Sequence, residues 1–191
     1  MLKQLFISKV RIKILEQFFL NPLDQYHVRG LVRLLDEEIN AIRRELINLQ
    51  EIGILKSERQ TNKIVFTLNP NCPILDELRT MVIKDSQLGH RVSKLATASG
   101  KPVAILLSHC YLVKEYSDSS DVDFLFIGQF DLSKLGKLMK EYEVEVGREF
   151  KYTAVSAQDF EFGKKKRDPL IMNVINKEFV LLYGVYRKLI S

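Results

Sequence analysis

Up to Gly53 the apolar residues recur with helical spacing, and beyond it they alternate as in strands. Ser8 can cap a first helix on which Val10, Ile14 and Phe18 recur every four residues. Asn21-Pro22 stops that helix. Val28, Leu31, Val32 and Leu35 then form the stripe of an amphipathic helix. Asp36 is the expected N-cap of a third helix, with Ile39, Ile42, Leu46 and Leu49 as its buried face and Gly53 as its end. Residues 54–58 and 63–68 read as two strands joined as a hairpin through the polar stretch 59–62. Asn69-Pro70 closes the unit. Three helices followed by a two-stranded wing predict a winged helix-turn-helix domain over residues 1–70.

Residues 71–100 predict a helical connector. Pro73 suits a first helical turn, Leu75, Leu78 and Val82 line one face, and Leu88, Val92 and Leu95 continue it after a break near Gly89. That stripe must bury against the first domain, the second, or another copy of the chain, so dimerisation through it is one expectation. Ser99-Gly100-Lys101-Pro102 marks the next boundary. From residue 101 to 191 strands and helices alternate. Apolar runs at 103–107 and 124–127 read as buried strands, and Gly128 ends the second. Asp131 caps a helix carrying Leu132, Leu135, Leu138 and Met139. A strand over 150–155, a short helix capped by Asp168 and a strand over 179–183 complete an α+β chain with a small second α/β domain.

Composition narrows the function classes only a little. The 191 residues are 46% hydrophobic, as in ordinary folded proteins. The net charge is +5, shared between the two halves of the chain. That suits a nucleic-acid partner without demanding one. Cys72 and Cys110 stand far apart with no Cys/His cluster, which argues against structural zinc or a disulfide framework. His27, His90 and His109 show no ligand spacing. The opening MLKQLFISKVRIKIL is too charged for a signal peptide, and no run approaches the ~20 apolar residues of a membrane span. The expectation is a soluble, cytoplasmic protein with no membrane partner.

In a helix-turn-helix the second helix of the motif enters the major groove, held by its apolar face. Here that arrangement would turn Asn40, Arg43, Arg44 and Asn48 outward. Arginine pairs bidentately with guanine and asparagine with adenine. Lys56, Arg59 and Lys63 on or beside the wing can meet phosphates. Taken singly, each is equally a solvated charge on an amphipathic surface. Glu37 and Glu38 suit the start of a helix but would repel phosphates, unless they lie off the DNA surface or accept from cytosine. The segments SKVRIKILEQFFLNP, YHVRGLVRLL, AIRRELINLQEIGILKSE and KIVFTLNP resemble those of ArsR-like winged helix regulators. The resemblance implies binding to double-stranded DNA, a role in transcription regulation, and a homodimer formed through helices flanking the winged domain.

In the second half, HCYLVKEYSDSSDVDFLFIG resembles the signature of the minimal nucleotidyltransferases, which runs Gly-Ser, a spacer, Ser-Asp-x-Asp and an apolar strand. Ser120, Asp121 and Asp123 match the nucleotide-binding end of that signature. Two carboxylates two residues apart on a strand point the same way and can hold magnesium. Metal ions of this kind bridge a triphosphate and activate a hydroxyl. The family's Gly-Ser turn lets backbone and hydroxyl approach the phosphates closely. His109 and Cys110 stand in that place here. The family also uses a third carboxylate, for which Glu149 is the first candidate and Glu145 the second. The loss of Gly-Ser predicts a non-catalytic sensor or interaction domain that requires no cofactor. The intact acidic pair keeps open an active, antitoxin-like enzyme using ATP and magnesium on a small molecule or a toxin-like protein. Taken alone, Asp121 and Asp123 are more simply a pair of acids in a turn-rich loop entering a strand; the strand before them at the right distance and the tail GREFKYTAVSAQDF favour the nucleotidyltransferase resemblance. Lys164 to Arg167 read as a solvated loop or a phosphate contact.

Overall fold

In the computed structural model, residues 8–98, 101–185 and 189 are described. They fall into two units that divide between Ser86 and Gln87. Ser8 accepts from the Arg11 amide at 3.1 Å and starts α1, Lys9–Leu20. A two-residue strand, β1, Tyr26–His27, leads into α2, Val28–Leu35. Asp36 is not the cap of the next helix. It ends α2 in the left-handed conformation (φ 50°). Glu38 takes the capping role for α3, Ile39–Glu51, accepting from the amides of Asn40 and Ala41 at 2.7 and 3.1 Å. A carboxylate there is favoured by the positive end of the helix dipole.

Ile42, Leu46 and Leu49 on α3 are fully buried and pack the helix against α1 and α2. Each contributes about 1.5 to 3 kcal/mol of apolar burial. Gly53, at φ +79°, follows the last turn of α3 and sends the chain into the hairpin. That hairpin is longer than the alternation predicted. Its strands are β2, Leu55–Gln60, and β3, Lys63–Leu68, and only Thr61 and Asn62 connect them. Thr61 sits at φ 52°. β1 pairs with the other edge of β3, so the small sheet has the order β1-β3-β2.

Among the described residues of this unit one charge is buried. Glu45 on α3 is 4% exposed, and its carboxylate accepts from Arg11 on α1 at 2.8 Å. Burial pushes the Glu45 carboxyl up. Hydrogen bonds from Ser8 and Arg11, with the Arg11 charge, outweigh it and hold the group below its ordinary value of 4.5. A depressed folded pKa gives stability that is complete above the unfolded value and is lost as pH falls through the folded one. Glu45→Gln is therefore expected to cost the first unit about 1 to 2 kcal/mol at neutral pH, discounted for the partly exposed Arg11. The difference from the parent should shrink below about pH 4. Urea unfolding at the two pH values checks this, and an equal cost at both would assign Glu45 a packing role only.

The expected connector is divided between the units. α4, Leu75–Asp85, packs on α1 through a face that includes Val82 and Ile83. The break falls at Ser86 rather than at Gly89, which lies buried inside α5, Gln87–Ala98. Ser99 and Gly100 of the expected boundary lie outside the described residues.

The second unit is a four-stranded sheet buried on both faces. Its strands are β4, Pro102–Ser108, β5, Phe124–Gly128, β6, Tyr152–Val155, and β7, Phe179–Tyr183. The order is β6-β5-β4-β7, with β5 and β6 parallel and the other pairs antiparallel. Strand alternation sends Leu106, Leu125 and Ile127 to one face. There they meet Phe160 of α8, Ala157–Lys166, and Ile171 and Val174 of α9, Pro169–Ile175. The two helices come so close that a Cβ on Gly163 would lie 2.3 Å from Ile171. The opposite face carries Ile105, Leu107, Phe124 and Phe126. Phe150 packs edge-on to Phe124 and stacks on Tyr142 of α7, Leu132–Val146, while α5 packs on α7, β4 and β7. Between β4 and β5 runs the short helix α6, His109–Val113. Among the described residues no helix is long and apolar enough to cross a membrane.

Candidate functional site

α3 shows its polar face to solvent. Asn40, Arg43 and Arg44 are exposed, and Ile47 on the same side is 45% exposed. Asn48 does not join them. It is half-buried, and its side chain bonds Glu45. The wing places its cations on two faces. Lys56 pairs with Thr67 in register and shares the outer face with Lys63, whereas Arg59 lies opposite Ile64 on the face that carries Leu55 and Phe66. All three cations are exposed.

Two concave surfaces connect these elements. One is lined by Arg29 of α2, Ile39 and Arg43 of α3, and Lys63 and Ile64 of the wing. The other is lined by Arg29, Val32 and Arg33 of α2 with Lys63. His27 borders both, its ring lying over Gly30 where an added Cβ would come within 3.1 Å. Arg29 and Arg33 escaped the sequence reading. Their signal was the polar side of the stripe at Val28, Leu31, Val32 and Leu35, which puts both arginines outward. Among the described residues none of Arg29, Arg33, Arg43, Arg44, Lys56, Arg59 and Lys63 forms an ion pair. The α1 cations behave differently: Arg11 pairs with Glu45 and Lys13 with Glu37. Glu37 and Glu38, which could have repelled phosphates, are thus taken up by Lys13 and by the amides at the head of α3.

The acidic pair of the second unit stands just ahead of β5. Asp121 and Asp123 are almost fully buried, at 1% and 0% exposure. The Asp121 carboxylate accepts from the Ser117 amide at 2.7 Å, its hydroxyl at 2.9 Å, the Asp118 amide at 3.1 Å and the Asn173 amide group at 3.3 Å. Lys177 lies 3.9 Å away. Burial pushes the Asp121 carboxyl up, but these hydrogen bonds and the Lys177 charge bring it below its ordinary value. Asp123 accepts from the Tyr116 hydroxyl, from Arg148 at 3.1 Å and from the Lys151 amide at 2.9 Å. The Arg148 guanidinium lies 4.8 Å from the ring centres of both Tyr111 and Phe150. Burial and the Asp123 charge push the Tyr116 phenol up. Burial, then Asp121, push the Cys110 thiol up, so Cys110 stays a thiol at neutral pH.

Ser120 accepts from Asn173 at 3.1 Å and is half-buried. Glu149 is exposed and precedes β6, which itself carries no carboxylate. Glu145 bonds Arg91 at 2.7 Å. Among the described residues no group of three or more His, Cys, Asp or Glu side chains is placed to hold a metal ion. The two aspartates share no donor, and each faces a cationic side chain. Such donor sets suit internally neutralised anions, and magnesium does not fit them as arranged. His109 and Cys110 open α6, as β4 ends at Ser108, whose hydroxyl donates to the Val122 carbonyl. His109 Nδ1 lies 3.9 Å from Glu178.

No family model and no curated protein matches the chain. Among solved structures it is similar to reduced HlyU from Vibrio cholerae, at 21% identity over 48% of this chain and 83% of that one, with a TM-score of 0.34. It is similar to a ZitR mutant from Lactococcus lactis at 21% identity, over 48% of this chain and 71% of that one, with a TM-score of 0.34. An apo form of that mutant is 17% identical over 73% of this chain and 83% of that one, with a TM-score of 0.35.

Proposed function

We propose that this chain is a DNA-binding transcriptional regulator that seats α3 in the major groove and rests its wing and α2 on the backbone. The observation that carries this reading is the run of exposed cations on α2, α3 and the wing that form no ion pair among the described residues, beside an α3 that buries its apolar face together with Glu45. A thirteen-residue helix is about 20 Å long, and its diameter of about 10 to 12 Å matches the roughly 12 Å width of the groove. Asn40, Arg43 and Arg44 then meet adenine and guanine edges, and Ile47 meets a thymine methyl. Arg29, Arg33, Lys56, Arg59 and Lys63 neutralise phosphates. Titration of the full chain with duplex from upstream of its own gene tests this across a salt series. Arg29→Ala with Lys63→Ala is expected to lower the slope of log K against log salt by about 2, without changing sequence preference. A wild-type affinity independent of salt would remove the reading.

The second unit is, in this reading, a non-catalytic scaffold on a nucleotidyltransferase-like arrangement of strands. The internal partners of Asp121 and Asp123 support that. One observation favours a second reading, an active nucleotidyltransferase: the order β4, α6, β5 brings the acidic pair to the head of a central strand. Incubation with labelled ATP and magnesium decides between them. Label transfer that disappears in Asp121→Asn with Asp123→Asn would establish the enzyme.

A further inference from the structure

We infer that a groove on the second unit, between α5 and α7, binds the phosphodiester backbone of duplex DNA. α5 brings Arg91, Lys94 and Leu95 to one wall, and α7 brings Lys134, Lys137 and Leu138 to the other. Both sets follow the i, i+3, i+4 spacing of a single helix face. Cations therefore line both walls, and one acid, Glu141, joins them. Lys94 and Lys137 are exposed and form no ion pair among the described residues. Lys134 reaches Asp131 at 3.3 Å, a solvent-exposed contact of little strength that a phosphate can displace. Arg91 is held by Glu145 at 2.7 Å and fixes the wall. Elsewhere in this unit Arg148, Lys177 and Lys164 each face a carboxylate of their own.

The floor decides the kind of anion. An acidic peptide helix needs apolar anchors in its groove. Leu95 is only 8% exposed and Leu138 is half-buried, so the floor offers few. Flexible ammonium groups on opposite walls suit phosphates, which they meet as point charges. The inference rests on the DNA-binding reading of the first unit.

The test uses the full chain and a duplex about four helical turns long, with affinity read by anisotropy across a salt series. Lys94→Ala with Lys137→Ala is expected to lower the slope by about 2, equally on matching and scrambled sequences. Lys165→Ala with Lys166→Ala removes the same charge from α8 and is expected to change it much less. An unchanged slope in the groove variant overturns the inference, even if the groove captures an acidic peptide. Equal losses in both variants also overturn it, since diffuse net charge would then suffice. Arg43→Ala with Arg44→Ala separates the two readings. Full affinity there, with a lowered slope in the groove variant, removes the α3 reading and leaves the groove as the DNA site. Lost affinity there, with an unchanged slope in the groove variant, removes the groove alone.

Discussion

Replacing Asp123 by Ala is expected to lower the stability of the second unit by about 3 kcal/mol. The cost comes from what is left behind. Arg148, whose side chain is 25% exposed, loses its carboxylate, and the Tyr116 hydroxyl and Lys151 amide lose their acceptor. Breaking a buried pair by removing one partner is far more damaging than replacing both. The sign is informative. Carboxylates gathered to hold a metal repel one another, and removing one of them tends to stabilise the protein. Urea unfolding of the parent, Asp123→Ala and Asp123→Asn therefore distinguishes the two accounts. A gain in stability on substitution would sink the internal-counterion account and return the pair to metal binding.

Arg43→Ala with Arg44→Ala is expected to weaken binding to the preferred duplex by about 2 to 6 kcal/mol, at least about thirtyfold. Both side chains are exposed and form no ion pair among the described residues, so the melting temperature should barely move. The loss should be larger on the preferred sequence than on scrambled DNA, because base-edge contacts carry the discrimination. Changes at Arg29 and Lys63 should weaken both alike. A folded double variant with parental affinity would mean that α3 does not read DNA.

The first unit was legible because its signals are local. The stripes Val10, Ile14, Phe18 and Ile42, Leu46, Leu49 follow from helical spacing alone, and they place Arg43 and Arg44 outward. The capping of α3 was not legible. Asp36 and Glu38 both suit a helix start, and the choice depended on Asp36 being needed to turn the chain out of α2. Asn48 was misjudged because its partner, Glu45, is a charge buried by Arg11, 34 residues away. The strands of the second unit announced themselves as apolar runs. The state of Asp121 and Asp123 did not, since it depends on Arg148, Asn173 and Lys177, distant in sequence. Helix α8 was missed because its lysine run reads as loop, although Ser156 caps it and Phe160 anchors it.

The place where α4 gives way to α5 has a practical side. A fragment stopped at residue 70 would strip Val82 and Ile83 from the α1 face they cover, and one begun at 101 would lack the Val92 and Leu95 that close the other core. Gene exchange that swaps one half for another keeps both interiors whole by crossing between Ser86 and Gln87. That junction is the natural seam for modular evolution and for chimeras.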